Sequence, residues 1–347
     1  MRSNWWKYLS ILLLGITFYA GLSVPLAPGL ISVKTNAVRT SEAPFKVSVL
    51  GYNTSFKKQS GTMKAWITNA GNPDVKTCAS SIQTIDDTHA EFKFPPTAPI
   101  GDPLFNLHVY NEADGHLFME NAIVTQDTVK GGIVQSCQPA VKNEKETYFA
   151  FPFRHILYES IRNLFLHVPM WFTMIALLAF AVYNNIRFLR GFDLNFDQRS
   201  HEAVMTALAF GVLGLLTGSV WARATWGAWW VDDVKLNGTA ITLLAYLAYM
   251  VLRNAIEDEQ KRARVSAIYS IFAFVMMLVL IGILPRLQGT DSLHPGNGGN
   301  PAFSSYDLDN RLRPIFYSAV FGWILLGFWI YNIRLRIRKI REQLDNN

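Results

Sequence analysis

Four indoles, Trp221, Trp226, Trp229 and Trp230, fall within ten residues at the end of an uncharged run, with Arg223, Asp232, Asp233 and Lys235 among and after them. An interfacial aromatic belt explains any one of these rings, because indoles anchor helices at the headgroup level. An anchor needs one or two rings, and four beside two acids and two bases suit a flat platform for a large planar ligand carrying carboxylates. Haem has those properties: its macrocycle stacks on aromatic faces, its propionates pair with Arg or Lys, and its iron takes axial imidazoles. Two histidines qualify as ligands. His167 stands in Leu166-His167-Val168-Pro169, and His294 lies in the glycine-rich stretch Gly289–Asn300, where Pro295 favours an extended backbone at His294. A lone histidine is more often a packed or solvated imidazole, and His155, shortly before His167, competes with it. His89, His108 and His116 lack metal-site spacing, and His201 falls on the opposite side of the membrane.

The elements that must position these residues are read from charge and hydropathy. Of 347 residues, 50% are hydrophobic and only 17% charged, against roughly 25% charged in soluble chains, which excludes a disordered protein and argues against a wholly soluble one. Uncharged stretches between Lys7 and Lys34 and at Val168–Ile186, Ala203–Ala222, Leu236–Leu252, Val265–Pro285 and Pro314–Ile333 approach or exceed the roughly 20 residues that cross a bilayer. The expected fold is a polytopic α-helical membrane protein with six transmembrane helices. The first span is expected to be an uncleaved anchor, since its uncharged stretch exceeds the roughly 7–15 residues of a secretory signal core. Basic residues cluster on one side, at Arg2 and Lys7, Arg187 to Arg199, Arg253 to Arg264 and Arg334 to Arg341. Only Arg223, Lys235, Arg286, Arg311 and Arg313 oppose them in short loops, so both termini are expected in the cytoplasm. The net charge of +6 mostly reflects those inner loops, so membrane lipid and not nucleic acid is the expected partner.

Residues 27–153 are too polar for membrane and are expected to form an inserted extracytoplasmic β-rich domain, a sandwich or barrel. Strand-like stretches Phe45–Tyr52, Met63–Thr68, Leu104–Tyr110 and Leu117–Thr125 alternate with turn clusters at residues 69–73 and at Asp114-Gly115, the latter suiting a two-residue hairpin turn. Cys78 and Cys137 both lie here; in an oxidising compartment a disulfide is predicted, two buried thiols being the alternative. The remaining divisions are a first helix at 1–26, a five-helix core at 154–335 and a cytoplasmic tail at 336–347.

The ordered set Leu166-His167-Val168-Pro169, Trp226 with Trp229, Trp230, Asp233, Lys235 and Leu236, and Ser292-Leu293-His294 resembles the CcmC family, membrane proteins that handle haem during cytochrome c maturation. The resemblance spans roughly His155–Leu335. It implies that His167 and His294 are axial ligands of a transient haem b, that Trp226, Trp229, Trp230 and Asp233 form the haem-binding motif, and that Trp221, Arg223 and Lys235 assist. It further implies a bacterial inner-membrane location, presentation of haem to the periplasmic chaperone CcmE, the ATP-binding-cassette subunits CcmA and CcmB as partners, and an assembly role rather than a classical enzyme. The chain departs from the pattern where Asp232 replaces a tryptophan and Asn237 a threonine, and where the β domain replaces a short loop. A haem lyase of the cytochrome c synthase group would carry further histidines within its spans, whereas these runs have none. A non-haem transporter would carry ionisable residues inside them, also missing here. No GxxxxGK[ST] nucleotide motif occurs.

Overall fold

A computed structural model describes residues 4–35, 39–99, 102–127, 137–139, 149–287, 292–294 and 308–345. Of the stretch Gly289–Asn300, only 292–294 are described; Pro295 lies outside. The chain divides into a unit of residues 1–24 with 159–347 and a unit of residues 25–158.

Among its described residues the first unit holds six helices long and apolar enough to cross a membrane, making this a polytopic helical membrane protein. They are α1 (Trp5–Ser23), α2 (His167–Gly191), α3 (Leu194–Trp226), α4 (Val234–Asn254), α5 (Glu259–Met277) and α6 (Arg313–Asp345). Several outrun their apolar stretches, because capping side chains, not hydropathy, decide where they start. Asp193, Asp233 and Asp258 each accept backbone N–H bonds at the beginning of α3, α4 and α5, satisfying donors that the first turn leaves without partners. Gly227 ends α3 at φ +78°, a left-handed conformation that glycine adopts without a Cβ clash. After α5 the backbone widens into a π-turn at Leu278–Ile283.

Met174, Leu177 and Ala181 of α2 pack with Ala203, Ala207 and Phe210 of α3 and Tyr246 of α4 in one buried cluster. A row of small residues in α3 permits this approach: a Cβ at Gly211 would sit 2.8 Å from Met174, and one at Gly214 2.8 Å from Trp171. Large apolar side chains such as Leu216, Leu244 and Phe272 remain exposed, as expected of surfaces that face lipid. At the end of the bundle where α3 begins, Asp197 forms a bidentate pair with Arg253 of α4, both side chains 5% exposed. Nearby, Glu202 accepts from Arg334 and Arg338 of α6. These buried ions lie just beyond the uncharged runs, where hydropathy gives no sign of them.

The second unit is a β-sandwich of two antiparallel four-stranded sheets. One has the order β1 (Gly29–Thr35), β2 (Phe45–Tyr52), β6 (His89–Phe94), β5 (Ser81–Thr84); the other runs β4 (Asn72–Cys78), β3 (Lys64–Asn69), β7 (Leu104–Asn111), β8 (Gly115–Val124). Alternate residues face inward, so Val47, Val49, Phe92 and Phe94 meet Ile67, Leu107, Val109 and Leu117 in a single core. The sequence reading located β2, β3, β7 and β8 and left the others unassigned. The hairpin at Asp114 differs from the two-residue turn expected: Asn111 pairs with Gly115, leaving a three-residue loop closed by Gly115 at φ +75°. Cys78 and Cys137 form a disulfide, with Cα atoms 5.9 Å apart.

The outward face of the second sheet groups the rings of Trp66, His108, His116 and Phe118. His108 stacks parallel to Trp66 at 5.1 Å and bonds His116, Nδ1 to Nε2, at 3.0 Å. Burial, reinforced by His116 and Lys76, pushes the His108 imidazole down to about 4. A histidine that protonates more readily unfolded than folded contributes stability above the unfolded value near 6.5, and that contribution is lost as pH falls toward 4. Hydrogen-exchange protection of β3, β7 and β8 should therefore decline through this window in the full-length protein, and His108→Gln should flatten the decline. Equal slopes in both proteins would contradict the assignment.

Candidate functional site

The site lies at the end of the helical unit where α2 begins, α3 ends and α4 begins. His167 is the first residue of α2, and a hydrogen bond from Asn163 Nδ2 to the Thr217 carbonyl (2.9 Å) ties the preceding segment to α3. Its imidazole enters the space left by Gly218, where a Cβ would come within 2.5 Å of Cε1. His167 Nδ1 lies 3.0 Å from the Gly214 carbonyl oxygen. A carbonyl only accepts, so Nδ1 carries the proton and the ring lone pair is on Nε2. Trp221, one turn beyond Thr217, meets the ring edge-to-face at 5.8 Å.

His294 reaches the same end of the bundle. Its ring packs edge-to-face on Trp226 at 5.3 Å, and its Nδ1 lies 3.2 Å from Asp233 Oδ1. Asp233 is buried, and it also accepts from the backbone N–H groups of Lys235 and Leu236, which start α4, and of Leu293. Burial alone would raise its pKa; hydrogen bonds from His294, Ser292, Leu293 and Leu236 outweigh that and hold the carboxyl below the usual carboxylate range. The carboxylate thus joins the tryptophan loop, the start of α4 and the histidine segment.

The other sequence-selected residues divide by exposure. Trp229 and Trp230 are 61% and 40% exposed, so neither indole is consumed in holding the fold together. Arg223 is exposed and donates to the Gly227 carbonyl, bracing the end of α3, and Lys235 is partly buried in the first turn of α4. The two departures from the family pattern meet: Asn237 Nδ2 donates to Asp232 Oδ1 at 2.8 Å, clamping the end of the loop to the first turn of α4. His201 lies near Tyr249 at the opposite end of α3 and does not join this cluster, while His155 is an exposed residue of the β unit.

Two features escaped the sequence reading. The indole Nε1 of Trp221 and the hydroxyl of Thr225, one turn apart on α3, are buried with no hydrogen-bond partner among the described residues. Buried donors are normally paired, so these two suit an acceptor beyond the described residues. The second feature is the small-residue row continuing to Gly218, whose spacing after Gly211 and Gly214 was visible but whose use as a histidine pocket was not. Chemically the site offers two imidazoles on separate segments, exposed indole faces and, among the described residues, two buried donors without an acceptor.

The family model described as CcmC, heme exporter protein C, matches residues 146–344. Proteins named heme exporter protein C are similar to this chain in Escherichia coli strain K12, 26% identical over 188 residues, covering 51% of this chain and 69% of that protein. Others are found in Haemophilus influenzae, 25% over 188 residues with 53% and 73% covered, and Paracoccus denitrificans, 27% over 198 residues with 53% and 76% covered. The family match leaves out strands β1–β8 and takes in every residue of the cluster just described, and over that stretch the chain belongs to the CcmC family.

Proposed function

We propose that this protein binds haem at the outer face of the bacterial inner membrane and presents it to the periplasmic chaperone CcmE during cytochrome c maturation. The observation that carries this reading is the approach of His167 and His294, from segments more than a hundred residues apart, to the two ends of the Trp221–Trp226 turn. His167 and His294 hold the iron of haem b from opposite sides. Trp226, Trp229 and Trp230 flank the ring, while Trp221 Nε1, Thr225 and the cations Arg223 and Lys235 receive the propionates. The donor set fits such a cargo: acceptor carboxylates would satisfy the two unpartnered buried donors.

The protein's contribution is placement. Two fixed imidazoles keep the iron coordinated and the exposed indoles leave one edge open to the chaperone, an orientation effect rather than bond-breaking by this chain. The excess of Lys and Arg in alternate loops favours cytoplasmic termini and puts the site outside. By the same charge rule the β domain is extracytoplasmic, and the subunits CcmA and CcmB are the remaining protein partners.

The purified full-length protein is expected to bind ferric haem with a six-coordinate, low-spin visible spectrum and to deliver it to purified CcmE. Failure to bind added haem, or binding without delivery, would refute this reading.

A further inference from the structure

We infer that Asp233 is a positioning residue that acts through His294 and makes the two axial ligands unequal; the inference rests on the haem reading above. A carboxylate accepts at roughly four lone-pair positions. Among the described residues five donors already converge on Asp233: the N–H groups of Lys235 at 2.9 Å and Leu236 at 3.1 Å and Nδ1 of His294 at 3.2 Å on Oδ1, the N–H of Leu293 at 2.8 Å on Oδ2, and the side chain of Ser292. Only 2% of Asp233 is exposed, so it has neither the surface nor the acceptor capacity to contact a porphyrin.

Its effect on His294 follows from the contact. An ionised carboxylate only accepts, so the His294 proton sits on Nδ1 and the lone pair is directed to Nε2. His167 reaches the same tautomer through a neutral backbone carbonyl, Gly214 O at 3.0 Å. The two rings thus offer the same nitrogen with different basicity, because a carboxylate partner draws the imidazole toward imidazolate and strengthens donation to a ferric metal more than an amide carbonyl does. His294 is the retaining ligand and His167 the one that yields first when haem departs.

Three measurements on the full-length protein test this. Nitrogen-15 spectra of histidine-labelled, haem-free protein should show His294 as the Nδ1–H tautomer and Asp233→Ala as a mixture of tautomers; an Nε2–H tautomer in the unsubstituted protein overturns the inference without reference to haem. Asp233→Asn keeps the helix cap, since asparagine caps as well as aspartate, but removes the charge. It should weaken ferric haem binding about 10- to 100-fold and move the haem reduction potential upward. An unchanged potential with haem still bound by two histidines would refute the positioning role and leave the haem reading standing. Loss of haem binding by the unsubstituted protein would refute the haem reading instead, with the tautomer result unaffected. In competition with added imidazole, His167→Gly should accept exogenous ligand and recover the six-coordinate spectrum more readily than His294→Gly; the reverse order contradicts the assigned inequality.

Discussion

Replacing either His167 or His294 by alanine is expected to convert bound ferric haem from a six-coordinate low-spin spectrum to a five-coordinate high-spin one, and replacing both to abolish binding. Each imidazole is held by contacts that do not involve haem: His167 by the Gly214 carbonyl and the space above Gly218, His294 by Asp233 and Trp226. Removing one therefore deletes a pre-positioned ligand and leaves its partner in place. The loss in affinity should exceed the roughly 10- to 100-fold cost of deleting a residue that only supports a ligand. His201→Ala serves as a control, since its side chain lies at the opposite end of α3, and should keep the unsubstituted spectrum. A low-spin spectrum surviving in both single variants would dispose of the axial assignment.

Asp197→Ala is expected to destabilise the helical unit by about 3–5 kcal/mol, because it strands the Arg253 guanidinium in a site where its side chain is 5% exposed. The bidentate geometry, with contacts of 2.7 and 2.5 Å, joins α3 to α4, while Glu202 bonds Arg334 and Arg338 and so joins α3 to α6. Replacing both partners, as in Asp197→Leu with Arg253→Met, should cost much less than either single change, since no unpaired charge is left behind. Unfolding of the detergent-solubilised protein would measure this. A single-variant loss below about 1 kcal/mol, the range of exposed pairs, would show that the pair is solvated. Along a straight α3, Asp197 and Trp221 are separated by about 36 Å, so haem affinity measured below the unfolding transition should stay constant.

The membrane helices were legible because their signal is compositional: a charge-free run of sufficient length has few alternatives to spanning lipid. Their true ends were less legible, since Asp193, Asp233 and Asp258 act as caps through hydrogen bonds that hydropathy does not register. In the β unit, β2 and β7 alternate cleanly and were found, while the short β5 and the polar β4 owe their existence to neighbouring strands that complete their ladders. The hairpin at Gly115 was recognisable from the glycine, but its three-residue length depends on the register of β7 against β8.

Residue types and order determined that this chain crosses the membrane, carries a separate β-rich insertion, and has an indole cluster flanked at a distance by two histidines. Those are properties of composition and spacing, which the unfolded chain already possesses. Only the tertiary structure decided that Gly214 and Gly218 make the bed for His167, that Asp233 faces His294 rather than solvent, and that Asp232 and Asn237 satisfy one another. Those outcomes require helices to approach within side-chain contact and a loop to fold back over some sixty residues. Their physical reason is close packing and the pairing of buried polar groups, neither of which exists until the elements meet.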